Sequence, residues 1–426
     1  MASVRHQCSQ HGQPNVFPKK CIKFKSSTST NLEQPKHIGI KQVTYTNKLD
    51  IFEPSSLKTT PIFRVLDCAG ELNKSAEAII VPNNEELLKM YKSMVLLSVM
   101  DKLLYESQRQ GRISFYMTNE GEEAVQIGSA AGLLSDDLIY GQYREAGVLL
   151  YRGFTPERFM NQCFGNIDDE GKGRQMPVHY GSKTENFVTI SSPLTTQLPQ
   201  AVGSAYSFKR LNNGRCTVVY FGEGAASEGD AHAAFNFAAT LECPVIFVCR
   251  NNGYAISTPA NEQFRGDGIV SHGPGYGIAT VRVDGNDILA VYNAMVKARQ
   301  YVMTNTRPLI FEAMTYRRGH HSTSDDSTAY RSKDEMEQWA SKNPIRRLKL
   351  FLEKKNLWND QDDLKYASDT KKKLMQTFTI ASKKKKPDWR QMFYDVYDEL
   401  PEHLMEQMKG LEEHLKQNSQ HYPEND

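Results

Sequence analysis

The chain has 426 residues, 39% of them hydrophobic and 10% aromatic, and a net charge of +2. That is enough apolar material for one large α/β domain with extensions, or for two or three domains. No apolar run approaches the roughly 18 to 20 residues of a membrane span, and the body carries no basic stripe of the kind that binds nucleic acid.

Residues 1–48 hold eight Lys or Arg against a single acid, Glu33, with Ser26, Ser27, Thr28 and Ser29 among them. An acid-poor, hydroxyl-bearing start reads as a mitochondrial transit peptide, which places the protein in the mitochondrial matrix; the alternative is a disordered basic tail. From about Thr46 to Val81 the chain lacks periodicity and reads as an extended arm. Asn83 or Asn84 is placed to cap a helix starting at Glu85, with Leu87, Leu88, Tyr91, Met94, Val95 and Val99 on one face. Further helices are expected at Gly121 to Leu133 and Pro156 to Cys163.

Two strand-like runs then follow, Thr217 to Phe221 and Val245 to Cys249, joined by an Ala-rich helical segment, Ala231 to Leu241, with Phe235 and Phe237. Such a βαβ unit makes the strands parallel. Two more strands, Ala279 to Val283 and Leu309 to Met314, flank a helix from about Asp287 to Val302. After Pro344 the composition turns charged and reads as surface helices and linkers. The expected organisation is a tail (1–40), an N-terminal arm and helix (41–110), an α/β domain with a parallel sheet flanked by helices (111–343), and a C-terminal helical region (344–426). Seven cysteines without any C-x-x-C spacing point to a reducing compartment and no structural zinc.

The phrases Gly222-Glu223-Gly224 and Asn251-Asn252-Gly253-Tyr254 each follow one of the two paired strands. A βαβ unit brings both to the carboxyl edge of the sheet, where α/β folds bind ligands, so 29 residues of separation between Glu223 and Asn252 become proximity. Glu223 offers a carboxylate, Asn252 an amide oxygen and Tyr254 a carbonyl, hard ligands suited to Mg²⁺. Flexible glycines allow a phosphate to approach the backbone, and Arg250 is suited to bidentate bonding of a phosphate oxygen. The plainer alternative is two strand-ending turns.

Arg144, in Tyr143-Arg144-Glu145, is a second candidate guanidinium for a diphosphate, or else a buried ion-pair partner of Glu145 or another acid. The polar run from Arg317 to Ser327 carries His320 and His321. Adjacent histidines make a poor metal pair, but one of them suits proton transfer or a phosphate hydrogen bond; the alternative is plain mobile surface.

The Gly-Glu-Gly and Asn-Asn phrases resemble the thiamine diphosphate motif of the 2-oxo acid dehydrogenases, which more often has Asp at the position of Glu223. Three stretches, Glu106 to Tyr116, Gly141 to Gly147 and Arg317 to Ser332, are similar to the alpha subunits of the branched-chain branch of that family. The similarity runs from about residue 50 to the carboxyl end. One departure is Glu120, where an aromatic residue is expected.

The resemblance implies a thiamine diphosphate-binding fold. It implies Glu223, Asn252 and the Tyr254 carbonyl around Mg²⁺, and Tyr143, Arg144, Ser192, Gly224, Ala225, Arg250 and His321 around the cofactor, with His321 catalytic. It also implies a K⁺ site at Ser191, Pro193, Thr196 and Gln197, a segment that by residue type alone is an ordinary turn. Ser322 and Ser332 match phosphorylation sites that a regulatory kinase and phosphatase act on. The implied partners are a beta subunit in an α₂β₂ heterotetramer, which supplies the missing activating glutamate, and a lipoyl-bearing acyltransferase core. Leu194 beside Ser192 favours branched-chain over pyruvate substrates. A pyruvate-specific alpha subunit and a non-catalytic paralogue are the alternatives.

Overall fold

The strand-like runs from Thr217 to Phe221 and from Val245 to Cys249 are buried along their whole length instead of alternating, as strands covered on both faces must be. The run from Ala279 is only half-buried over its first three residues. The computed structural model describes residues 47–73 and 79–422, so the expected targeting tail lies outside the described residues. The chain divides into two units, up to Ser56 and from Leu57 on. In the first, residues 47–54 are exposed and a 3-10 turn spans Pro54–Ser56.

Six strands of the second unit form one sheet: β1 (Leu138–Tyr140), β2 (Phe187–Val188), β3 (Thr217–Gly222), β4 (Val245–Asn251), β5 (Ala279–Asp284) and β6 (Leu309–Met314). Their order is β2-β1-β3-β4-β6-β5 and every pairing is parallel. Helix α1 (Asn84–Arg109) begins where the Asn83 side chain accepts the Glu86 N–H at 2.9 Å. It is followed by α2 (Glu123–Ala131), α3 (Ala146–Arg152), α4 (Pro156–Phe164), α5 (Gln197–Leu211), α6 (Gly229–Thr240) and α7 (Ile288–Asn305). The fold is the expected α/β class, a parallel sheet flanked by helices.

Each face of the sheet has its own core. Val218, Tyr220, Ile246 and Val248 pack with residues of α1, α2, α3 and α7, while Val219, Phe221, Phe247 and Cys249 pack with α5 and α6. The switch from one residue to the next is the strand's two-residue period. On α6, Phe235 is fully buried but Phe237 is 56% exposed; residues two apart point to different sides of a helix.

The C-terminal region contains α8 (Lys333–Ala340), α9 (Pro344–Lys354), α10 (Asp360–Ala381) and α11 (Glu402–Gln417). Charged composition suggested surface helices, yet Leu348, Phe351 and Leu352 of α9, with Leu374 and Phe378 of α10, join the core that holds α1. Their apolar residues recur at three- and four-residue spacing, which puts one face inward despite the lysines on the other. The arm is also tied in. Val65 and Leu66 both donate backbone N–H groups to Asp287, at 2.7 and 2.6 Å, while the same side chain caps α7.

Candidate active site

In the β3–β4 register Gly222 lies opposite Arg250, so Glu223 and Asn251–Asn252 leave the sheet at the same level. Glu223 is 1% exposed; its Oε2 accepts the Asn252 N–H at 3.3 Å, and its Oε1 is buried with no partner among the described residues. Burial, with the negative Glu122 nearby, pushes this carboxyl up to about 7. An unpaired buried carboxylate oxygen is costly, and a cation relieves that cost.

Asn252 donates from Nδ2 to Glu122 Oε1 at 2.8 Å and accepts the Tyr254 N–H on Oδ1 at 3.1 Å. Gly253 makes the turn between them at φ +86°. The oxygen set of carboxylate, amide and carbonyl fits Mg²⁺ chemically. Among the described residues no group of three or more His, Cys, Asp or Glu is arranged to hold a metal. A cation here would therefore draw on neutral and ligand oxygens as well. Asn251 plays a different part. Its Nδ2 donates to buried Glu312 at 2.8 Å, and its Oδ1 accepts the Gly253 N–H at 3.3 Å. It holds the turn. Gly224 is required by close approach, since a Cβ there would lie 2.4 Å from the Ala255 Cβ. Ala225 is buried in the short turn that follows.

Arg250 is not the free clamp the sequence suggested. Its Nη1 donates to Glu122 and its Nε to Glu145, each at 2.6 Å, which leaves one terminal nitrogen for a phosphate oxygen. A fully buried guanidinium needs compensating charge, and removing one partner of such a pair costs about 3 to 5 kcal/mol. Burial alone would raise the Glu122 carboxyl, but Arg250 and Arg144 hold it below its ordinary value. Glu145 also accepts the backbone N–H groups of Gln142 and Tyr143 at 2.7 and 2.8 Å, so one side chain fixes both the Arg250 guanidinium and the Tyr143–Arg144 loop.

Arg144 therefore does not pair with Glu145. It is buried and donates to the Thr118 and His321 carbonyls, both at 2.5 Å, and lies 3.2 Å from His321 Nδ1. It forms no ion pair among the described residues, and burial lowers its affinity for its proton. Such a cation is ready for an anion.

His321 is held well below its usual range, at about 3, by burial and by Arg144 and Arg317. Its Nδ1 faces both guanidiniums, at 3.2 and 3.4 Å, so the neutral ring carries its proton on Nε2. Its neighbour His320 points elsewhere and accepts the Ser327 N–H on Nδ1 at 3.0 Å. Tyr143 and His321 meet edge to face, 6.1 Å between centroids. Ser322 is half-buried and accepts the Ser324 N–H at 3.3 Å. Ser332 is exposed and caps α8, accepting the Glu335 N–H at 3.1 Å. Buried Arg331 ties the loop together through the Arg317 and Gly319 carbonyls.

The Ser191–Gln197 segment lies at the amino end of α5. Thr196 Oγ1 donates to the Pro193 carbonyl at 3.0 Å and Gln197 Nε2 to the Tyr220 carbonyl at 3.1 Å. Ser191, Ser192 and Leu194 are exposed. Neutral oxygens without a carboxylate suit a monovalent cation. Ser192 Oγ bonds His179 Nε2 at 2.7 Å, a partner with no motif to announce it. At the departure from the family pattern, Glu120 sits half-exposed, 3.4 Å from the Arg318 guanidinium, where its charge is solvated and paired.

The family model for the dehydrogenase E1 component matches residues 91–390. The chain is 58% identical to the mitochondrial 2-oxoisovalerate dehydrogenase subunit alpha of Caenorhabditis elegans over 393 residues, 91% of this chain and 90% of the relative. It is 56% identical to that of Homo sapiens over 380 residues, 89% and 85% of the two chains. With subunit alpha 1 of Arabidopsis thaliana it shares 52% over 384 residues, 90% and 81%. A match of this extent, over a parallel sheet whose carboxyl edge gathers Glu223, Asn252, Arg250 and Arg144, places the chain in the dehydrogenase E1 component family.

Proposed function

We propose that this chain is the alpha subunit of a branched-chain 2-oxo acid dehydrogenase. With a beta subunit it decarboxylates the 2-oxo acids derived from Leu, Ile and Val and passes the acyl group to lipoamide on an acyltransferase core. The relatives' names, mitochondrial 2-oxoisovalerate dehydrogenase subunit alpha, support the substrate class and a mitochondrial location; within the mitochondrion, the reading puts the chain in the matrix. The observation that carries the site is the orphaned Glu223 Oε1, level with Asn252, whose partner Glu122 feels both Arg250 and an Arg144 that lacks a carboxylate partner.

Thiamine diphosphate is the cofactor of this family. Glu223, Asn252 and the Tyr254 carbonyl would hold Mg²⁺; Tyr143, Arg144, Ser192, Gly224, Ala225, Arg250 and His321 would hold the cofactor. When bound, it supplies the nucleophilic carbon and electron sink that decarboxylation needs. Arg144 and the free nitrogen of Arg250 neutralise and orient the diphosphate. His321 donates from Nε2 and is the candidate for moving a proton during acyl transfer. Ser191, Pro193, Thr196 and Gln197 would hold K⁺ near the start of α5. Ser322 and Ser332 would be the sites of an inhibitory kinase and its phosphatase. A phosphate on Ser322 adds about −1.5 to −2 charges beside His321, next to an anionic cofactor.

Reconstitution with the beta subunit tests this reading, by measuring kcat/KM for 3-methyl-2-oxobutanoate, 4-methyl-2-oxopentanoate and pyruvate. Preference for the branched substrates is expected. A higher value for pyruvate overturns the substrate class, and no decarboxylation of any of them leaves the non-catalytic reading.

A further inference from the structure

The geometry points to Glu122 as the positioning residue that selects the metal-facing orientation of Asn252 and locks it to Arg250. The inference rests on the thiamine diphosphate and Mg²⁺ reading above.

Glu122 is fully buried and sits just ahead of α2, remote in sequence from the strands it serves. Its two oxygens divide the work. Oε2 accepts from Arg250 Nη1 at 2.6 Å, and Oε1 accepts from Asn252 Nδ2 at 2.8 Å. An amide side chain can be turned either way about its last bond, presenting oxygen or nitrogen. Glu122 can only accept, so it takes the NH₂ group and turns the Asn252 oxygen away, toward the Tyr254 N–H. A cation needs that oxygen; the NH₂ group would repel it. The same carboxylate supplies half the charge that lets Arg250 stay buried beside the diphosphate site, Glu145 supplying the other half. Glu122 thus couples the metal ligand to the phosphate-facing cation without touching metal or cofactor itself.

The test exchanges donor and acceptor in place. In Glu122→Gln one bond must fail, because the new amide cannot accept from both Arg250 and Asn252. In Asn252→Asp alone two carboxylates face one another. In the double variant Glu122→Gln/Asn252→Asp both bonds can form again with roles reversed. The introduced amide accepts from Arg250 on its oxygen and donates from its nitrogen to the introduced carboxylate. Total charge is unchanged.

The assembled α₂β₂ protein would be titrated with thiamine diphosphate by calorimetry at a series of Mg²⁺ concentrations, with Tm of the cofactor-free protein measured in parallel. Wild type must show Mg²⁺-dependent binding; if it does not, the cofactor reading fails before this inference is reached. Given that binding, Glu122→Gln should raise the half-saturating Mg²⁺ at least tenfold, and the double variant should return to within threefold of wild type. If Glu122→Gln does not assemble, the double variant compared with Asn252→Asp decides, and tighter Mg²⁺ coupling in the double supports the inference. A Glu122→Gln value within twofold of wild type overturns it. So does a double variant no better than Asn252→Asp.

Discussion

The carboxyl edge of β3 and β4 and the loop from Arg317 to Ser332 both bury guanidinium groups, and they compensate them differently. At the edge, Arg250 meets two carboxylates at 2.6 Å, and those carboxylates also hold Asn252 and the Tyr143 loop. In the loop, Arg317 and Arg331 are almost fully buried but donate to carbonyls and to the Tyr330 hydroxyl, and neither forms an ion pair among the described residues. Asp325 is the acid nearest His321, and it accepts the His321 N–H and the Tyr330 hydroxyl, each at 2.7 Å. At the edge the buried cation is matched by carboxylates, whereas in the loop the buried cations rest on carbonyls and a hydroxyl. The proposed metal and phosphate cradle thus rests on carboxylate-paired cations, and the loop beside it on cations held by neutral groups.

That contrast can be broken most sharply at Glu223. Glu223→Ala should cut the activity of the assembled protein about a hundredfold or more, through lost metal-dependent cofactor binding. Tm of the cofactor-free protein should hold or rise, because a buried carboxylate with an orphaned oxygen is gone. A fall in Tm with intact cofactor binding would make Glu223 a structural residue instead. Next in size is the loop. Ser322→Glu should lower overall activity about tenfold or more in the assembled complex while Ser322→Ala stays near wild type; equal activity of Ser322→Glu and wild type would remove the switch.

Glu123 sharpens the comparison from inside the first region. It is fully buried, accepts the Gly121 N–H at 2.9 Å and has no ion-pair partner among the described residues, and burial pushes its carboxyl up to about 8. Its folded-state value therefore lies above the ordinary 4.5 of the unfolded chain. The folded protein binds the extra proton, so stability is greatest below about 4.5 and falls as pH rises to about 8, by up to about 1.4 kcal/mol per pH unit. Glu123→Gln has no charge to bury, so its Tm relative to wild type should climb across that window. A pH-independent difference would contradict the assignment. The smallest effect is expected at Ser332. Ser332→Ala removes the cap of α8 at a cost of about 1 kcal/mol, with activity within about twofold.

Much of the frame was legible because it rests on local signals. Unbroken apolar runs marked β3 and β4, the Asn83–Asn84 pair marked the start of α1 without deciding which of the two is the cap, and the parallel pairing followed from one intervening helix. The C-terminal helices were harder, because their lysines mask a narrow buried face around Leu348, Phe351 and Phe378. Of the site, the residues at strand ends were visible as Glu223 and Asn252. Their supports were not. Arg250 meets Glu145 across 105 positions and Glu122 across 128, and no short motif encodes which carboxylate a buried cation selects. The same holds for Glu312 behind Asn251 and His179 behind Ser192. Glu122 lay unmarked inside the expected helix from Gly121 to Leu133.

The central claim is that this chain holds the metal and diphosphate half of an active site that a second chain completes. Its most direct test measures decarboxylation of 3-methyl-2-oxobutanoate with thiamine diphosphate and Mg²⁺, by the purified chain alone and after assembly with the beta subunit. No turnover alone and full turnover on assembly are expected. Measurable decarboxylation by the chain alone would contradict the account.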